Sequence, residues 1–140
     1  MALKINDENA KELIASGKVG YMALLRNLSS ILQTGANIEP VLSRLADPEQ
    51  VRRSRQLPFR FYSAYRTLSA KDLLTPEIHR ALEAAIRASI DNMERFAGRT
   101  LIAVDVSASM CCTVSLNSSV RCCDIASLLG AMAGRLCEDA

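Results

Sequence analysis

Closely spaced helix-start and helix-stop signals constrain this chain more than any other feature of its sequence. Asp47-Pro48 and Thr75-Pro76 each place a capping side chain before a proline at the first helical position. Apolar residues then recur at three- and four-residue spacing, and Gly98 follows the longest of these segments. The pattern predicts a succession of short α-helices joined by connections of a few residues.

The order and length of these helices predict the architecture of the first part of the chain. Stacked pairs of short helices are typical of an α-solenoid, although no sequence period identifies repeats. We therefore expect a mainly α, HEAT-like helical-repeat segment. The helices are predicted at residues 6–17, 19–34, 38–46, 47–56, 58–68 and 76–96.

The pattern changes after Gly98. Arg99 to Val104 is an apolar, partly β-branched run with the length of a strand that is covered on both faces of a parallel sheet. A loop and a helix over residues 119–137 follow, which makes one β-loop-α unit. Because a lone strand has no hydrogen-bonding partner, we expect an incomplete, doubly wound α/β domain. The predicted domains are residues 1–97 and 98–140.

Charge is concentrated in one part of a chain whose net charge is only +2. Residues 44–66 carry six arginines against Asp47 and Glu49, whereas residues 67–140 are slightly acidic. A local basic block points to a face that binds phosphate. A solvated helix face is the competing interpretation, and charge taken by itself favours it. The candidate RNA contacts are Arg52, Arg53, Arg55, Arg60 and Arg66.

Aromatic residues interleave with this basic block. Phe59, Tyr62 and Tyr65 fit one face of a helix, beside Arg60. Stacking of bases on these rings is one interpretation and packing in the core is the other. Helical spacing favours the core for at least two of the three, which leaves the arginines as the RNA candidates.

Cysteine and histidine usage bears on compartment and chemistry. The five cysteines lie between Cys111 and Cys137, an odd number in a chain whose polar start carries no secretion signal, so we expect reduced thiols and a cytoplasmic protein. Two adjacent pairs lack the C-x-x-C spacing of structural zinc sites. His79 has no nearby nucleophile, so we expect no catalysis.

An Asp-x-Ser-x-Ser motif follows the predicted strand and carries the remaining chemistry. Asp105, Ser107 and Ser109 can point into the crevice at the carboxyl end of a parallel strand, where ligands bind. Mg²⁺ prefers such oxygen ligands and retains several waters. A turn held by side chain to backbone hydrogen bonds is an equally good interpretation.

Several ordered blocks of the sequence resemble one family. Residues 98–110, which include this motif, are similar to the start of the von Willebrand factor A domain in the Ro ribonucleoprotein (TROVE) family. Residues 22–28, 57–61 and 78–85 are similar to successive pieces of that family's helical-repeat ring, in the same order. The resemblance covers nearly the whole chain.

The resemblance implies an RNA-binding, non-enzymatic protein. It implies a ring that binds small structured Y RNAs on its outer face and misfolded RNA ends in its hole. In the family, threonine and aspartate from later loops complete the magnesium site, and this sequence stops at Ala140 before either loop. We therefore expect a fragment with an incomplete magnesium site, which self-associates through its uncovered strand. The alternatives are a metal-dependent protein-binding module and an inactive remnant.

Overall fold

The structure, a computed structural model, describes residues 19–116, 118 and 120–140. The chain is mainly helical and divides into two compact units, with the boundary between Ser89 and Ile90. The sequence-based boundary falls further along, between residues 97 and 98. The helix predicted at residues 6–17 lies outside the described residues. Within the described part of the chain, no helix is long and apolar enough to cross a membrane.

The first unit is built from short helices that begin where the sequence signals predict. Asp47 caps the fourth of them, because its Oδ1 accepts the backbone N–H of Glu49 at 2.9 Å and of Gln50 at 3.4 Å. Three of the helices begin at a proline. The helices are α1 (Tyr21–Arg26), α2 (Leu28–Gln33), α3 (Glu39–Ala46), α4 (Pro48–Ser54), α5 (Pro58–Ser69) and α6 (Pro76–Ile90).

Two helix predictions are wrong in detail. The single helix expected at residues 19–34 is broken at Asn27, whose side-chain Nδ2 donates to the Ala23 carbonyl at 2.8 Å. The backbone N–H of Asn27 donates to the same carbonyl at 3.1 Å, but the Asn27 backbone, with φ of −99° and ψ of 9°, departs from helical geometry and separates α1 from α2. Helix α6 ends at Ile90 rather than near Phe96, because Asp91 and Asn92 follow as a turn.

The core of the first unit gathers apolar residues from each of the six helices in the described residues. Phe61 is completely buried, and its ring meets Tyr21 edge to face with centroids 6.2 Å apart. Tyr21 also donates its hydroxyl to the Leu45 carbonyl at 2.7 Å, which satisfies a free carbonyl in the last turn of α3. Polar and apolar contacts therefore hold α1 against α3 and α5.

The aromatic residues of α5 occupy different positions from those predicted. Phe59, Tyr62 and Tyr65 are only half-buried, and the fully buried side of the helix carries Phe61 and Leu68 instead. The helical period is right but the buried face is rotated. Tyr62 and Tyr65 stack on each other with centroids 6.2 Å apart, at the margin of the core.

The second unit contains a pair of parallel strands connected through a helix. Phe96 lies opposite Cys137 and Arg99 opposite Asp139, with an irregularity between these pairs. The small core combines Ile90, at the end of α6, with residues of the helix. The elements of this unit are β1 (Phe96–Arg99), a 3-10 helix (Ala108–Cys111), α7 (Cys122–Leu136) and β2 (Cys137–Asp139).

The strand predicted from Arg99 to Val104 is wrong for most of its length. Strand β1 ends at Arg99, and the following residues form no regular secondary structure, with Leu101 94% exposed. The reason is that β2 lies beside residues 96–99, so residues beyond the Thr100 N–H have no ladder partner. The helix predicted at residues 119–137 is confirmed by α7.

Candidate nucleic-acid interface

Three of the five predicted RNA contacts lie together at the end of α4. Arg52 and Arg53 occupy its last turn and Arg55 follows in the left-handed conformation with φ of 50°, and all three are exposed. Cations at this end also complement the helix dipole. The Nε of Arg52 donates to the Pro48 carbonyl at 3.3 Å, and Arg53 forms an ion pair with Glu49 at 3.0 Å.

The other two predicted contacts lie on α5 and do not share a face. Arg60 is exposed, and its guanidinium lies 5.1 Å from the centroid of the Phe59 ring. This cation–π contact holds the guanidinium without neutralising its charge. Arg66 is half-buried and, being six residues further along, lies on a different side of the helix. The structure therefore separates Arg60 from Arg66.

Arg60 lines a groove between α1, α2 and α5 with a volume of about 190 Å³. Arg26, from the end of α1, lines the same groove. Lys71 reaches its margin by donating to the Ser29 hydroxyl at 2.9 Å. Sequence analysis missed Arg26 and Lys71, because neither lies in a basic block: residues 1–43 have balanced charges and residues 67–140 are slightly acidic.

The three predicted metal ligands meet on one exposed turn of the second unit. Asp105 Oδ1 accepts the backbone N–H of Ser107 at 2.8 Å, and the hydroxyls of Ser107 and Ser109 are 3.0 Å apart. The hydrogen bond from the Ser107 N–H, followed by that from the Ser107 hydroxyl, lowers the pKa of Asp105 below its usual value. The carboxylate is therefore charged at neutral pH.

This turn does not by itself amount to a resident magnesium site. It offers one carboxylate, of which one oxygen already accepts a hydrogen bond, and two hydroxyls. Among the residues that the structure describes, no group of three His, Cys, Asp or Glu side chains is placed to hold a metal ion. Asp105, Ser107 and Ser109 would supply only some of the oxygen ligands that magnesium needs, and water or further ligands would have to supply the rest.

Two of the cysteines and the histidine make structural contacts. The sulfurs of Cys112 and Cys122 lie 3.6 Å apart, and the hydrogen bond between them raises the pKa of the Cys122 thiol. A thiol with a raised pKa is a poor nucleophile at neutral pH. His79 packs edge to face on Tyr65 with centroids 5.6 Å apart. Neither arrangement resembles a nucleophile–base pair.

The chain is thus a helical protein that presents arginines on its surface, and the comparisons identify its family. The TROVE domain family matches residues 4–105, so the chain belongs to this family, whose members are components of ribonucleoproteins. The resemblance to the TROVE family found in the sequence is confirmed.

Two curated relatives match part of the chain. Telomerase protein component 1 of Rattus norvegicus is 48% identical over 61 residues, which are 41% of this chain and 2% of that protein. Telomerase protein component 1 of Mus musculus is 48% identical over 58 residues, or 39% and 2%. The chain therefore spans only a small part of the length of these relatives. No solved structure matches it.

Proposed function

We propose that this chain binds RNA through its basic helical surface, as a non-enzymatic component of a ribonucleoprotein. The observation that carries the proposal is the group of exposed arginines at the end of α4, in a chain that belongs to the TROVE domain family. The name of the curated relatives, a protein component of telomerase, supports the same class of assembly.

The local chemistry of these arginines suits phosphate. Arg53 is 79% exposed and its partner Glu49 60% exposed, and an ion pair in that environment is worth little, so phosphate can replace the glutamate. Each guanidinium presents several donors in a planar fork that matches phosphate oxygens. Neutralising phosphates releases counterions, which makes the affinity strongly dependent on salt.

The finer proposal is a protein of the Ro ribonucleoprotein type. In it, a HEAT-like segment over residues 1–97 binds small non-coding, Y-like RNA or misfolded RNA in the cytoplasm. A von Willebrand factor A-like unit over residues 98–140 carries part of a magnesium site at Asp105. The similarity of the ordered sequence blocks supports this proposal.

RNA affinity measured across salt concentration tests the function. The parent chain is compared with Arg52→Ala/Arg53→Ala and with a matched control, Arg80→Ala/Arg87→Ala, which removes two ion-paired arginines of α6. We expect the first variant to bind more weakly, with a salt slope flatter by about 0.7 for each phosphate of a single strand that the variant no longer neutralises. The control should bind like the parent.

Two results would count against the proposal in different ways. If both variants and the parent show the same affinity and slope, the end of α4 is not the interface. If the parent binds neither single-stranded nor structured RNA at low salt, RNA binding itself is wrong.

A second candidate function rests on the exposed turn of the second unit. Because Asp105, Ser107 and Ser109 already converge, an acidic side chain of a partner protein could complete a magnesium shell there. This candidate requires that an acidic peptide binds only when magnesium is present and not to Asp105→Ala. Binding that ignores both changes excludes it.

A further inference from the structure

We infer that the groove between α1, α2 and α5 holds one unstacked nucleotide of a single-stranded RNA, with the base on the apolar floor and flanking phosphates on Arg26, Arg60 and Lys71. The inference rests on the proposed function and assigns a specific site and class of RNA to it. It involves a different set of cations from those at the end of α4.

The shape of the groove suits one planar ring. Apolar side chains line the groove from both sides and form its floor. Leu25 of α1 and Leu28 of α2 lie on one side, and Ala64 and Leu68 of α5 lie on the other. A cavity of about 150 Å³ accepts a benzene ring. A groove of about 190 Å³ therefore has room for one base, whereas a stacked run of bases would not fit.

The charge of the groove favours an anion. None of the described residues that line it is acidic. Among the described residues, Arg26 and Arg60 form no ion pair, in contrast to Arg53, Arg80 and Arg87. Lys71 donates to a neutral hydroxyl, that of Ser29. Within the part of the chain that the structure describes, no carboxylate pairs with these three cations at the groove margin, where phosphate would meet them.

Hydroxyl groups on the groove wall supply contacts for the edge of a base. Ser29 lies on one side, and Ser63 and Thr67 lie on the other. The Thr67 hydroxyl donates to the Ser63 carbonyl at 2.9 Å, which leaves its oxygen lone pairs as acceptors for an exocyclic amino group. A base that is paired in a duplex cannot turn its face onto the floor and its edge onto these hydroxyls. The ligand is therefore single-stranded.

The test measures binding of a short, fluorescently labelled oligoadenylate to the full chain. It is repeated with the same strand annealed to oligouridylate. Two groove variants are compared: Arg26→Ala/Arg60→Ala removes exposed charges, and Ala64→Leu fills the floor. Arg80→Ala/Arg87→Ala is the control of equal charge. We expect each groove variant to weaken single-strand binding about fivefold or more, because Ala64→Leu prevents burial of the base on the apolar floor and Arg26→Ala/Arg60→Ala removes two charged phosphate contacts. Duplex binding should change less.

Each alternative outcome is distinguishable. If the parent binds oligoadenylate and both groove variants bind it equally well, the groove inference is wrong and the proposed function stands. If the parent binds no RNA, both fail. Should Ala64→Leu not fold, Arg26→Ala/Arg60→Ala, which changes only exposed side chains, decides the matter. Displacement of oligoadenylate by polyglutamate, abolished in the same variant, would overturn the inference in favour of an acidic protein ligand.

Discussion

The two units of this chain use apolar residues very differently. Sixteen buried residues form one continuous core in the described part of the first unit, whereas the core of the second unit consists of Ile90, Met132 and Leu136. Of the large apolar side chains that are exposed among the residues the structure describes, Leu57 belongs to the first unit. The others belong to the second: Phe96, Leu101, Val104, Val106, Val114, Leu116 and Leu129.

The difference follows from how helices and parallel strands satisfy their backbones. A helix closes its hydrogen bonds within its own segment, so a few helices suffice to enclose a core. A parallel strand needs neighbours on both edges and layers on both faces. The second unit offers β1 a short partner, β2, and one packed helix, α7. Its apolar segment from Leu101 to Val106 therefore stays largely uncovered.

The largest expected difference between the two units is in the loss of stability when a leucine is replaced by alanine. Leu45 is completely buried and Leu101 is 94% exposed. We expect Leu45→Ala to lower the free energy of unfolding by about 2–5 kcal/mol, because it leaves a cavity in the core. Leu101→Ala should change it by less than about 0.5 kcal/mol. Urea unfolding curves with unchanged slope measure both values. Similar losses of stability for the two variants would show that residues 101–106 are covered.

Self-association should depend on the second unit alone. Leu101 and Leu116 are almost fully exposed, and burying them against another chain would favour association. We expect Leu101→Lys/Leu116→Lys to raise the dissociation constant of self-association about tenfold. Leu57→Lys, at an exposed position of the first unit, is the control. Sedimentation velocity over a range of concentrations gives the answer, and a parent chain that sediments as a compact monomer throughout contradicts the prediction.

Removing a polar contact should also cost more stability in the first unit than in the second, but the difference should be smaller than for the leucines. Tyr21 donates to the Leu45 carbonyl from a partly buried position, whereas Arg99 pairs with Asp139 in solvent, with 90% and 63% of their side chains exposed. Tyr21→Phe is expected to lower the free energy of unfolding by about 1 kcal/mol. Arg99→Ala should lower it by less than about 0.5 kcal/mol. Equal effects in urea unfolding would contradict this ranking.

The pH dependence of stability gives Tyr21 a second signature. Burial, and then the negative charge of Asp47, raise the pKa of its hydroxyl above the ordinary value of 10.0. As the pH rises, the unfolded chain therefore loses this proton at a lower pH than the folded chain does. The contribution of Tyr21 is present below about pH 10 and disappears as the pH rises above it. Tyr21→Phe should remove that part of the alkaline loss of stability, and an unchanged pH profile would show that Tyr21 is not its source.

The smallest expected effect is that of magnesium binding at the Asp105 turn. The turn at Asp105 is exposed and offers a single carboxylate, so we expect no saturable magnesium binding by this chain below about millimolar concentration. Calorimetric titration of the parent and of Asp105→Ala should therefore look alike. Tight binding that Asp105→Ala abolishes would show that the turn is a sufficient site.

Local signals made most of the helices predictable. Asp47-Pro48, Pro58 and Thr75-Pro76 mark helix starts through contacts within a few residues, and the structure places α4, α5 and α6 there. The strand was not predictable in the same way, because its position depends on β2, about forty residues further along the chain.

The same difference between local and long-range contacts decides which residues of the candidate interface could be predicted. Arg52, Arg53 and Arg55 are neighbours in the sequence and stay together at the end of α4. Arg26 and Arg60 line one groove, and Lys71 reaches its margin at Ser29, only because α1, α2 and α5 pack against each other. No local pattern marks Arg26 or Lys71, since their place at this groove is a property of helix packing.

The close packing of Val104 against Gly130 of α7 restricts which residues these two positions can accept. A Cβ atom at Gly130 would collide with Cγ2 of Val104, while a Cβ at Gly134 would only touch Ile102, at 3.9 Å. Valine is stiff about χ1 and cannot swing aside. Positions 104 and 130 should therefore vary as a pair among related sequences, with alanine or a larger residue at 130 accompanied by a smaller residue than valine at 104. Position 134 should accept alanine independently of its neighbours.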